Sequence, residues 1–227
     1  MLSFLGLIIV IMLAFFPPTV TGDASWRKVV IGSIFNIFCI LGILAIFAPN
    51  RCGRILNHKM EKRISDSKRL DIFSDSPVRK GHHPTCNNYS SHIFQMKNET
   101  YCAACIGLLF GGMIALVGSI VYFYFDWQFA GHSEIVVLMG GLLVSFGLFQ
   151  FKFSSLIRLF LNSLFAFGCM LILIGIDVLI QNLFFDFLVF SLIVFWLLTR
   201  ILLSQWDHEI ICSGCDTENC EIRTIKK

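Results

Sequence analysis

The sequence predicts an all-α membrane protein with six transmembrane helices, the last four forming an up-down bundle. Three observations carry this. Of 227 residues, 56% are hydrophobic and only 15% charged, where soluble domains carry nearer a quarter. The apolar residues fall in long uncharged blocks, for which a bilayer is the natural solvent. Lys and Arg are distributed unevenly between the segments joining those blocks.

The first block runs from Leu2 to about Phe16 and stops at Pro17-Pro18, which end a helix. The small residues at 19–22 also suit signal cleavage, which would leave five spans. No Lys or Arg precedes the apolar run, so the usual basic start of a signal peptide is missing. The second block covers Val29 to Ala48. Trp26 stands at its membrane interface, and Pro49 and Arg51 close it. Residues 1–50 therefore form an N-terminal two-helix unit.

Residues 51–101 are polar and basic. The sparse apolar positions Ile55, Met60, Ile64, Leu70, Ile72 and Phe73 fit a short juxtamembrane helix against anionic lipid or a basic linker. The segment is too short and polar to be an enzyme domain of its own.

Four blocks then follow within 102–203: Cys102–Phe125, Glu134–Phe151, Leu156–Ile176 and Leu183–Leu203. Their short links make neighbours antiparallel. Gly107, Gly111, Gly112 and Gly118, then Gly140, Gly141 and Gly147, are small residues that let helices approach closely. Gln150 and Asn162 are expected as buried hydrogen-bonding partners. A Cys-rich polar tail occupies 204–227.

Charge sets the orientation. Segment 50–101 holds ten of the 18 Lys and Arg residues. The links at 126–133 and 177–186 hold none. Lys152 and Arg158 lie in the link between those two, and Arg200, Arg223, Lys226 and Lys227 lie at or in the tail. Basic segments stay cytoplasmic, so both termini and loop 51–101 are expected in the cytoplasm. Arg27 and Lys28 are the exception, falling outside. The sequons Asn88-Tyr-Ser90 and Asn98-Glu-Thr100 favour the reverse orientation, but ten basic charges outweigh them.

Nine cysteines are present. Cys39 and Cys169 lie inside spans, where a thiol packs as a small apolar group. Six others form two groups, each with one His at ligand spacing. The first comprises Cys86, His92, Cys102 and Cys105, with His82 and His83 nearby. Cys102 and Cys105, three apart at the start of a helix, share nearly one face, and the helix dipole there favours thiolate. Three Cys and one His suit tetrahedral zinc. The second comprises His208, Cys212, Cys215 and Cys220, just after the last span. Four spans separate the groups, so both lie on one face of the membrane, as two sites or one shared site.

The stretch from Gly81-His-His-Pro-Thr-Cys86 through Ser91-His92 to Tyr101-Cys102-Ala-Ala-Cys105-Ile-Gly107 resembles a group of uncharacterised, largely archaeal prokaryotic membrane proteins. In that family a Cys/His loop leads into C-x-x-C-x-G at a transmembrane helix start. The wider bacterial pattern places His directly after the first Cys, where this chain has Asn87. The resemblance implies architecture and site position rather than an activity.

The functional expectation is a membrane protein with zinc at its cytoplasmic face, in a structural, sensing or assembly role and without catalytic residues. Its partners would be lipid and a second copy or membrane-complex subunit. One alternative is a thiol-disulfide oxidoreductase using Cys102 and Cys105. Another is a small-cation transporter or channel component, with Asp126, His132, Glu134, Asp177, Gln181, Asn182 and Asp186 as an acidic outer mouth. No basic-aromatic surface suggests nucleic-acid binding.

Overall fold

The structure, a computed structural model, describes residues 2–18, 26–47, 79–80, 93–96, 99–125, 132–150 and 153–213. The described residues form six helices: α1 (Leu2–Phe15), α2 (Arg27–Phe47), α3 (Ala103–Phe125), α4 (Ser133–Leu148), α5 (Ser155–Ile180) and α6 (Leu183–Ser213). A small sheet precedes α3, with strands β1 (Arg79–Lys80), β2 (Ile93–Met96) and β3 (Glu99–Cys102) in the order β1-β3-β2. β2 and β3 pair antiparallel with Ile93 opposite Cys102, and β1 joins β3 in parallel. The juxtamembrane helix expected over 54–73 lies outside the described residues.

α2, α3, α5 and the Leu183–Asp207 part of α6 are each long and apolar enough to cross a membrane. α1 and α4 are apolar but have 14 and 16 residues. At roughly 1.5 Å per residue these are shorter than a hydrocarbon core of about 30 Å. The chain is thus a multi-pass membrane protein with four spans of full length, rather than six uniform ones.

α5 is the central helix: 67% of its apolar window is buried inside the protein, against 22% for each of the other three long helices. Those three spend their outer faces on lipid, with Phe110, Ile114, Val117, Leu198 and Leu202 among the exposed side chains. Glycines bring α3 and α4 onto α5. A Cβ on Gly107 would fall on the Leu159 carbonyl oxygen, and one on Gly111 would come within 2.5 Å of the Ser163 oxygen. On α4, Gly140 backs onto the Gly168 carbonyl and Gly147 onto the Phe165 side chain. Gly141 differs, since nothing lies within 4 Å of its Cβ position, so it plays no part in helix approach.

These contacts also fix direction. Gly107 meets Leu159 and Asn162, Gly118 meets Met170, and Tyr122 meets Asp177. α3 and α5 therefore run parallel, and α4 between them in sequence carries the chain back along the bundle. α1 runs antiparallel to α6. Gly6 faces Leu192 and Trp196, while the Trp196 indole N–H donates to the Ser3 carbonyl at 3.0 Å.

Two helix boundaries differ from expectation. α6 continues through the polar residues Ser204 to Ser213, because polarity ends a membrane span without ending a helix. The link expected around 177–186 is a two-residue turn. Gln181 adopts a left-handed conformation (φ 52°) and caps α5, its N–H bonding to the Asp177 carbonyl. Asn182 Oδ1 accepts from the Phe184 N–H at 2.9 Å to start α6.

Candidate functional site

Two clusters of buried polar side chains lie at opposite ends of the bundle. At one end is Arg200 of α6, only 4% exposed. Its guanidinium donates to Asn162 Oδ1 of α5, through Nε at 2.7 Å and through Nη2, and to Gln150 Oε1 at 3.5 Å. It also lies over the Phe165 ring, 5.8 Å from the centroid. Gln150 and Asn162 are buried hydrogen-bonding partners, as their sequence positions suggested. Their donor was missed, because Arg200 reads in sequence as a charge flanking the tail.

Among the described residues no carboxylate pairs with Arg200. Among those residues, the anion-forming groups that act on its charge are the thiols of Cys105, Cys102 and Cys169. Cys102 is the last residue of β3 and is buried, while Cys105 sits in the first turn of α3 and is half-buried. The C-x-x-C pair therefore straddles a strand-to-helix junction rather than lying wholly on a helix. Cys169 and Cys39 pack with the apolar core, as expected.

Cys86, His92, Cys215 and Cys220 lie outside the described residues. For His208 and Cys212 the backbone is described. Both fall on the extension of α6, one turn apart on one side of the helix. Among the described residues no group of three His, Cys, Asp or Glu side chains gathers to hold a metal. At this end the helix extension is held to the bundle by Asp207, which pairs with Arg158 at 3.4 Å, while Arg158 Nε donates to the Phe153 carbonyl at 2.9 Å.

The opposite end holds a cluster that sequence reasoning did not find. Arg27, the first residue of α2, is 2% exposed, and Asp177 and Asp186 are both fully buried. Arg27 Nη1 donates to Asp177 Oδ1 and, at 2.5 Å, to Asp186 Oδ2. Tyr122 of α3 donates to Asp177 Oδ2 at 2.6 Å. Asp177 and Asp186 are thus not part of an acidic outer mouth open to solvent. Nor is Arg27 a loop charge breaking the orientation rule, because it is neutralised inside the bundle. His132 is exposed and Glu134 half-buried at the start of α4; Asp126 lies outside the described residues.

Along α6, Asp186 and Arg200 are separated by about 21 Å at roughly 1.5 Å per residue. Ionisable groups buried inside a bundle of membrane-spanning helices are costly and mark function by default.

No known protein family, curated protein or solved structure matches the chain.

Proposed function

We propose that the Arg200 end of the bundle carries a zinc-type Cys₃His centre formed by Cys86, His92, Cys102 and Cys105. The observation behind this is the buried Arg200 charge, whose described partners are neutral amides and whose reach includes the C-x-x-C thiols. Zinc with three thiolates and a neutral imidazole carries one negative charge. Such a centre balances one guanidinium, which neutral thiols do not. Arg200, oriented by Asn162 and Gln150, would then support the ligands from behind.

His208, Cys212, Cys215 and Cys220 would form the second set on the same face, as the even number of spans between the two groups suggests. Metal at this face would pin loop 51–101 and the tail to the bundle, a structural, sensing or assembly role. We read all six helices as crossings, since parallel α3 and α5 require α4 to return the chain. The basic loop and tail place this face in the cytoplasm.

Metal analysis of the purified full-length protein tests the reading. The expected result is roughly one or two zinc ions per chain, with loss of one in Cys102→Ser. A metal-free protein whose Cys102 and Cys105 form a reversible disulfide would overturn it in favour of thiol-disulfide exchange.

A further inference from the structure

The Arg27 cluster contains one cation and two carboxylates. Fully ionised, it would hold one excess negative charge buried inside the bundle, which is costly. The hydrogen bonds treat the two acids differently. Asp177 accepts on both oxygens, from Arg27 at Oδ1 and from Tyr122 at Oδ2. Asp186 accepts from Arg27 at Oδ2 alone. Its Oδ1 is buried without a hydrogen-bond partner, and among the described residues Arg27 Nε is the one other such side-chain atom. A carboxylate with both oxygens satisfied is held as the anion, whereas a bare buried carboxylate oxygen is where a proton relieves the charge.

We propose that this cluster is a proton-binding site, with one proton, taken from bulk water, held on Asp186 Oδ1. The cluster is then Arg27 cation, Asp177 anion and neutral Asp186, with no net charge. The turn that opens α6, one helical turn before Asp186, reaches the surface at the exposed residue Gln181. Among the described residues the other ionisable groups at this end are Lys28 of α2, 5.4 Å from the Tyr122 ring centroid, Tyr122 itself, Tyr124, which bonds Ser33 of α2 at 2.7 Å, and His132 and Glu134 beside Ser133, whose carbonyl approaches Gly175. The site joins α2, α3, α5 and α6, so its proton occupancy acts on four helices at once.

The test is infrared spectroscopy of the full-length protein in lipid bilayers at neutral pH. The wild type is expected to show the C=O stretch of a protonated, buried carboxyl, and Asp186→Asn to lose it. Asn mimics the neutral acid in shape and charge, so Asp186→Asn should move the thermal midpoint by less than about 4 °C. Asp177→Asn turns one of the two accepting oxygens into a donor and removes the negative charge that balances Arg27, and should lower the midpoint by about 6 °C or more. The proposal is overturned if the wild type lacks the band, if the band survives in Asp186→Asn, or if Asp186→Asn is as damaging as Asp177→Asn.

Discussion

The Trp196 indole N–H donates to the main-chain carbonyl of Ser3 at 3.0 Å, joining the first helix to the last across nearly the whole chain. Trp196 is fully buried, and Ser3 Oγ also bonds Thr199 Oγ1 at 3.3 Å. Leu7, Val10 and Ala14 of α1 are buried in the same core. The first helix is therefore a packed element of the bundle. Trp196→Phe removes the indole donor to the Ser3 carbonyl, and we expect a loss of about 0.5–1.5 kcal/mol, read as a lower thermal midpoint in detergent or lipid.

Glycine substitutions separate tight helix contacts from positions with room for a methyl group. Gly111→Leu forces a side chain into the Ser163 backbone and should destabilise by about 1–3 kcal/mol or more. Gly141→Ala meets nothing within 4 Å and should leave stability unchanged within about 0.5 kcal/mol. Thermal stability of the two variants side by side checks both.

Orientation has its own test. His132 is exposed at the Arg27 end, and the tail cysteine Cys215 follows an α6 extension that leaves the opposite end. A cysteine introduced by His132→Cys should react with a membrane-impermeant maleimide on intact cells. Cys215 should react only after permeabilisation. Labelling of Cys215 on intact cells would reverse the topology.

The positions of the spans were legible because hydropathy is a local property. What crosses between helices was not. Arg27 and Arg200 count as loop charges in a tally of Lys and Arg, since their partners Asp177 and Asn162 lie far away in sequence. Asp177 and Asp186 look like turn residues because they flank a span junction, yet the turn itself is only Gln181-Asn182. A basic residue at the start of one span and two acidic residues at the matching end of two others was the signal that could have found the cluster. The sheet before α3 escaped notice because its strands have two to four residues, too few for a clear alternation. Close packing at Gly107, Gly111, Gly140 and Gly147 was legible from small-residue spacing, whereas Gly141, buried but with nothing within 4 Å of its Cβ position, shows that spacing does not tell which glycine meets another helix.

Arg200 connects the buried bundle to the cysteine face. In Arg200→Gln the amides of Asn162 and Gln150 remain, but the positive charge beside Cys102 and Cys105 is gone. Zinc affinity should fall by about 10- to 100-fold, measured by competition with a chromophoric chelator. Arg200→Lys keeps the charge and should retain more of the affinity than Arg200→Gln.

Cobalt substitution tests the Cys₃His centre most directly, because tetrahedral cobalt reports its thiolate ligands by colour. The account predicts that full-length protein loaded with cobalt shows ligand-field bands of tetrahedral geometry and thiolate-to-metal charge-transfer absorption. That absorption should weaken in Cys102→Ser and again in Cys102→Ser/Cys105→Ser. A spectrum of hexaaqua cobalt, or charge transfer unchanged by both substitutions, would contradict the account.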